Sequence, residues 1–149
     1  MQFIATRPLI HPTQNGVPKM LDKVEYWLEL CDDDIKAATA MLKSKNYLWT
    51  GFICHLIAEK ALKATIANIT NEVPPKIHDL PKLADKTDIN GDISDKHKSL
   101  LRKLTPLQIE ARYPEYKERI QATLTDDYCK ELLADTEEFL CWIRCKLEK

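Results

Sequence analysis

A chain of 149 residues falls within the size of one domain and is long enough to bury a core without disulfide or metal staples. With 44% hydrophobic residues, 30% charged residues and only 3 Gly, it suits a folded, helix-rich protein and not a disordered or all-β one. The 22 Lys and Arg nearly cancel the 23 Asp and Glu, which excludes a global basic field for nucleic acid, so any phosphate contact has to be local.

No apolar run is long enough to span a bilayer, and the opening MQFIATRPLIHP is broken by polar residues and Pro before a signal-peptide core can form. A cytoplasmic protein without a membrane contact is expected. The five cysteines, Cys31, Cys54, Cys129, Cys141 and Cys145, are odd in number and form no Cys-x-x-Cys, so a disulfide framework is not expected. Cys141 and Cys145 stand four apart on one expected helix, where two soft ligands could face a metal, but no neighbouring His or Cys completes a set. The expectation is reduced, packed thiols, no metal and no cofactor.

Residues 1–19 contain Pro8, Pro12, Gly16 and Pro18 and no sustained period, which reads as an irregular arm preceding a single domain over 20–149. From Leu21 to Ser44 the positions Val24, Trp27, Leu28, Cys31, Ile35, Ala38 and Leu42 recur three or four apart, predicting a first one-sided helix. Asn46 can start a second, in which Trp49, Phe52, Ile53, Leu56, Ile57, Ala61, Leu62 and Ile66 form an apolar face wide enough to be central. It should end in the turn between Asn68 and Pro75.

Asp79 is the expected N-cap of a short third helix with Pro81 in its first turn, and Asn90-Gly91 closes that segment. Ser94 or Asp95 can cap a fourth carrying Leu100, Leu101, Leu104 and Leu107, which Pro106 should kink or interrupt before Tyr113-Pro114. The last helix begins at Thr125 or Asp126 and presents Tyr128, Leu132, Phe139, Ile143 and Leu147, widened by Leu133, Leu140 and Trp142. No strand-like alternation exceeds a few residues. The expected fold is all-α, an antiparallel up-and-down bundle of four main helices plus one short one, packed around Trp27, Phe52, Leu56, Leu62, Leu104, Leu132, Phe139 and Ile143.

Three places could carry chemistry. On the second helix His55, Glu59 and Lys63 share a face by their four-residue spacing, either as a surface ion pair with a satisfied histidine or as a site. His78 follows a Pro-Pro turn just outside a helix N-terminus, where free N–H groups favour anions, unless Asp79 caps that terminus and His78 packs against the turn. Arg112-Tyr113 joins a guanidinium able to fork onto phosphate to a ring able to stack on a base, although an isolated Arg-Tyr pair equally suits surface packing.

Taken in order, Glu59-Lys60-x-x-Lys63-Ala64, His78-Asp79-Leu80 with Leu83, Ala111-Arg112-Tyr113-Pro114 and an amphipathic last helix resemble the HEPN family of small helical bundles over about Leu21 to Leu147. The resemblance implies a homodimer, a nucleotide- or RNA-associated function, and a separately encoded minimal nucleotidyltransferase as partner in a toxin–antitoxin or defence-type pair. It also implies a phosphate-binding site drawn from Lys60, Lys63, His78, Arg112 and Tyr113.

Many members of that family are metal-independent ribonucleases that use an Arg followed four to six residues later by His. This sequence departs from the pattern. No His follows His97, so Arg102, Arg112, Arg119 and Arg144 lack a downstream partner, and Arg7 with His11 lies in the irregular arm. A glycine-rich phosphate loop, a His-Glu-x-x-His and a nucleophile elbow are all missing, and Asp32-Asp33-Asp34 fans out around a helix axis instead of converging. The first reading is therefore a non-catalytic interaction module. The alternative is a ribonuclease toxin with a non-standard site, in which His78 transfers the proton and Arg112 holds the phosphate; a third reading is a purely structural dimer.

Overall fold

The computed structural model describes residues 20–109 and 113–148; the expected arm over 1–19 and Arg112 lie outside the described residues. Six α-helices follow one another: α1 (Met20–Lys43), α2 (Tyr47–Thr70), α3 (Leu80–Asp85), α4 (Asp95–Ile109), α5 (Pro114–Thr123) and α6 (Asp126–Leu147). A single 3-10 turn, Asn90–Asp92, precedes α4, and no strand occurs among the described residues.

The termini form where the sequence supplies the caps. Asp79 accepts the N–H of Lys82 at 3.0 Å, Ser94 accepts that of His97 at 3.1 Å, and Thr125 accepts that of Tyr128 at 3.2 Å, each satisfying a first-turn donor. At the other end of α2, Asn71 closes the helix in the left-handed region with φ 55°, a conformation Asn tolerates better than most residues.

Pro106 lies inside the last turn of α4, which ends at Ile109, before Tyr113. One expectation about the helices needs correction. The stretch after Tyr113 is a helix of its own, α5, started by Pro114 at N1, where the missing N–H costs nothing.

Short connections make α1 and α2 antiparallel, and the contacts of α6 fix the rest. Tyr47 at the start of α2 donates to Asp126 at the start of α6, while Lys146 at the end of α6 reaches Asp92 just before α4. Helices α2 and α6 thus run together and α1 and α4 run against them, an up-and-down arrangement of the four long helices.

Helix α2 is central. Ile57, Leu62, Leu80, Leu83, Leu101, Leu104, Phe139 and Ile143 are fully buried around it. Gly51 lets α4 approach, because a Cβ there would stand 3.1 Å from a Leu107 methyl.

Of the expected core, Leu62, Leu104, Leu132, Phe139 and Ile143 are buried, but Trp27, Phe52 and Leu56 are only half-buried. The reason is how α2 is covered. Helix α1 packs beside Ile57, whose carbonyl faces Cys31, and the α4 side covers Gly51. The segment before α3 covers His55. Trp49, Phe52 and Leu56 occupy the strip left between these neighbours. Trp49 is 58% exposed, with its ring set edge-on to Phe52 at 5.7 Å.

His97 lies buried between α4 and α6, its ring 5.3 Å from Phe139 and 5.5 Å from Trp142. Neither of its ring nitrogens has a hydrogen-bond partner among the described residues. Burial pushes the pKa of both His97 and His55 below the ordinary histidine value, against the opposing pull of Glu138 and Asp135 on His97 and of Glu59 and the His78 carbonyl on His55.

Phe139→Ala should cost about 3–5 kcal/mol in urea unfolding, and Phe52→Ala no more than about half as much, because its site is already half in water. Equal losses at both positions would show that the Phe52 strip is covered. The histidines set a pH dependence as well. A depressed folded-state pKa means that the unfolded chain takes up protons first, so stability present above pH 6.5 should be lost progressively as pH falls below it. The thermal midpoint should drop between pH 7.5 and 5, and His97→Phe should flatten that drop; an unchanged slope in His97→Phe would assign it to other groups.

Candidate functional site

On α2, residues 55, 59 and 63 follow one another by one turn and present His55, Glu59 and Lys63 on one side. After the left-handed cap at Asn71, Pro74 and Pro75 hold the chain extended and lay residues 76–79 back along that side. The His78 backbone is fixed first, its carbonyl accepting Nε2–H of the buried His55 at 2.9 Å. The His78 ring then meets Glu59, Nδ1–H donating to the carboxylate Oε1 at 2.7 Å.

The second oxygen of Glu59 is also occupied, since Lys63 Nζ donates to Oε2 at 3.3 Å. That ammonium lies 5.8 Å from the centre of the Trp27 ring on α1, a cation–π contact that helps hold a charge out of water. Glu59 is 5% and Lys63 7% exposed, whereas the His78 side chain is 46% exposed. A buried, lysine-neutralised carboxylate thus holds an imidazole at the surface.

Because Glu59 only accepts, the proton of neutral His78 is placed on Nδ1 and the lone pair on Nε2. Nε2 makes no hydrogen bond among the described residues. The ring can therefore accept a proton or hydrogen bond at one defined atom. His55 acts one step back: with its Nε2–H spent on the His78 carbonyl, its buried Nδ1 is left without a partner.

The remaining candidates are placed differently. Lys60 points to the α1 side of α2, where it pairs with Asp34 at 2.5 Å. Tyr113 is 52% exposed at the start of α5, and no hydrogen bond or ring contact joins it to Glu59, Lys63 or His78 among the described residues. Arg112 lies outside the described residues. The open N-terminus considered at residue 79 is filled by Asp79 itself, as its bond to Lys82 shows. The structure therefore unites Lys63 and His78 through Glu59 and sets Lys60 and Tyr113 apart.

Sequence reasoning left the His55, Glu59 and Lys63 face open as a surface ion pair or a site, and did not foresee Glu59 as the group that joins Lys63 to His78. The signal was present in the spacing of residues 55, 59 and 63, but the approach of His78 depends on the path of a loop. Among the described residues no group of His, Cys, Asp or Glu side chains is gathered to hold a metal ion. Cys31, Cys54 and Cys129 are buried, with burial pushing their thiols up to about 12, 12 and 11, well away from thiolate chemistry.

Removing one member of the network exposes its balance. Glu59→Ala leaves the Lys63 ammonium buried without its counter-charge and should destabilise the fold by about 3–5 kcal/mol, whereas Glu59→Ala with Lys63→Met should recover much of that loss. Chemical denaturation of both variants checks this; a double variant no better than Glu59→Ala would show that the cost lies elsewhere.

A comparison with known protein families matches the HEPN domain over residues 24–146. No curated protein matches the chain. Among solved structures, the crystal structure of TT1696 from Thermus thermophilus is similar at 20% identity with a TM-score of 0.70, covering 83% of this chain and 98% of that one. At that identity the likeness is one of fold. No helix of the described residues is long and apolar enough to cross a membrane. The family match, running from the first long helix to the last, shows that the chain belongs to the HEPN domain family and is in general terms a nucleotide- or RNA-related module.

Proposed function

We propose that this chain is a homodimeric interaction module that contacts a nucleotide or RNA phosphate through His78 and serves as partner to a minimal nucleotidyltransferase in a toxin–antitoxin or defence-type pair. The observation that carries this reading is the half-exposed His78 ring fixed by the buried Glu59–Lys63 pair. The network holds no spare cation: Glu59 neutralises Lys63, and Asp34 neutralises Lys60. It offers one oriented hydrogen bond instead of a strong field, which suits recognition of a phosphate already delivered by other groups.

The same face supports association. Trp49 and the half-buried Phe52 and Leu56 form an apolar strip left open among the described residues, and strips of this kind mark contact surfaces. Two copies related by a two-fold axis can cover each other's strip and bring two His78 networks towards one interface.

A second reading, a metal-independent ribonuclease, is favoured by one detail: a carboxylate orienting the proton of Nδ1 is the arrangement a histidine acid–base group needs. The missing Arg-x(4–6)-His pattern weighs against it. Incubation of pure protein with labelled RNA in EDTA separates the two. Retention of intact RNA, with binding reduced in His78→Ala, is expected. Metal-free cleavage abolished by His78→Ala would replace the module with a ribonuclease, and a monomer in sedimentation at micromolar concentration would remove the shared face.

A further inference from the structure

At the N-terminal end of α2, some 15 Å along the helix from Glu59 at about 1.5 Å per residue, lies a groove that the His78 network does not use. It measures about 320 Å³ and runs between the α1–α2 turn and α5. That volume is at the small end of the range of ligand sites, about 300–1,000 Å³. Lys45, Asn46 and Trp49 form one wall, and Lys117 and Gln121 the other.

The lining chemistry is specific. Trp49 presents an indole that is 58% exposed, and Phe52 braces it edge-on, with ring planes at 89°. Keeping so large an apolar ring in water has no benefit to the fold itself. Lys45 and Lys117 face the groove from opposite walls, and neither makes an ion pair among the described residues, unlike Lys60 and Lys63. No carboxylate lines the groove. The nearby Asp126 accepts from the Tyr47 hydroxyl at 3.0 Å and pairs with Lys130 at 2.7 Å, and its charge also acts on Lys45 without a direct ion pair.

The floor adds directed donors. The Asn46 side chain turns away to donate to Ser44 Oγ at 2.8 Å and makes no cap bond, and the first turn of α2 carries no acidic residue. The first-turn N–H groups of this long helix, from Tyr47 to Trp49, thus have neither an intrahelical nor a side-chain acceptor. Tyr113, a sequence candidate left apart from His78, stands one turn before Lys117 on α5.

We propose that this groove seats one unit of a single-stranded RNA or a free nucleotide, the base stacking on Trp49 and the phosphate held between Lys45 and Lys117. An aromatic face, two cations on opposite walls and amide groups at Asn46 and Gln121 match the base, phosphate and polar edges of such a unit. An apolar partner helix would leave both ammonium groups unanswered. The site shares its ligand class with the proposed function and, in Trp49, one residue with the association strip, but none with the His78 network, so the groove and the His78 contact can each fail without the other.

The test is fluorescence anisotropy of a labelled 12-nucleotide oligouridine with the full chain in EDTA at several salt concentrations. Trp49→Ala should weaken binding roughly ten-fold or more, and Trp49→Phe should retain most of it. Lys45→Ala with Lys117→Ala should flatten the salt dependence by a log–log slope of roughly 1.4, two phosphate contacts at about 0.7 each on a single strand. In a His78→Ala background, whatever its overall affinity, Trp49→Ala and the double lysine change should still produce these same losses. Competition by UMP as effective as by the oligomer identifies a nucleotide site, and competition by the oligomer alone identifies a strand; either supports the proposal. Wild-type affinity in Trp49→Ala and in the double lysine variant overturns it. So does an absence of oligouridine and UMP binding, or a Trp49→Ala defect that appears only with loss of the dimer while the dimeric lysine variant binds normally.

Discussion

A carboxylate taken out of water inside a helical bundle has to be answered by charge and hydrogen bonds, and Glu59 imposes that requirement on the centre of this fold. Lys63 answers one oxygen from the next turn of the same helix, and His78 answers the other from a segment that arrives after the chain has reversed direction. The loop is thereby tied to the helix at both backbone and side chain, since His55 holds the His78 carbonyl while Glu59 holds its ring. Glu59 thus adds a side-chain tie to a stretch that the His55 bond and the buried Leu80 already hold against the bundle.

That requirement explains why the site is local. The chain has almost as many acids as bases, and near its centre the two are spent on each other: Asp34 with Lys60, Glu59 with Lys63. The phosphate contact proposed for His78 rests on geometry, on a histidine with one nitrogen fixed by Glu59, and not on accumulated positive charge. At the far end of α2 the arrangement reverses. Neither Lys45 nor Lys117 makes an ion pair among the described residues, although Lys45 acts on the nearby Asp126 carboxylate, and the helix dipole points its positive end at the groove between the two lysines. One helix thus carries a closely paired network in its middle and a cleft with less tightly paired cations at its start.

The uncovered strip of Trp49, Phe52 and Leu56 links the two regions. Among the described residues, Trp49, Phe52 and Leu56 of α2 are left exposed or half-buried between the helices that pack on its other sides. The extended segment that leads into the 6-residue α3 packs against His55 beside this strip and carries His78.

The sequence by itself determined the elements: caps at Asp79, Ser94 and Thr125, the period of the apolar residues, and hence the four long helices and the all-α bundle, because these signals act within a few residues of one another. It also showed which residues could carry chemistry, and the order of those short motifs pointed to the HEPN family. What it could not determine was which apolar positions would be left without a covering neighbour, since Phe52 and Leu62 look alike along the helix and differ only in what packs beside them. Nor could it show that Pro106 would be accommodated in α4, or that Lys60 and Lys63, three residues apart, would answer different carboxylates. Tertiary structure decided these because burial and charge pairing depend on what approaches from elsewhere in the chain: Asp34 from α1, and His78 from a loop 19 residues beyond Glu59.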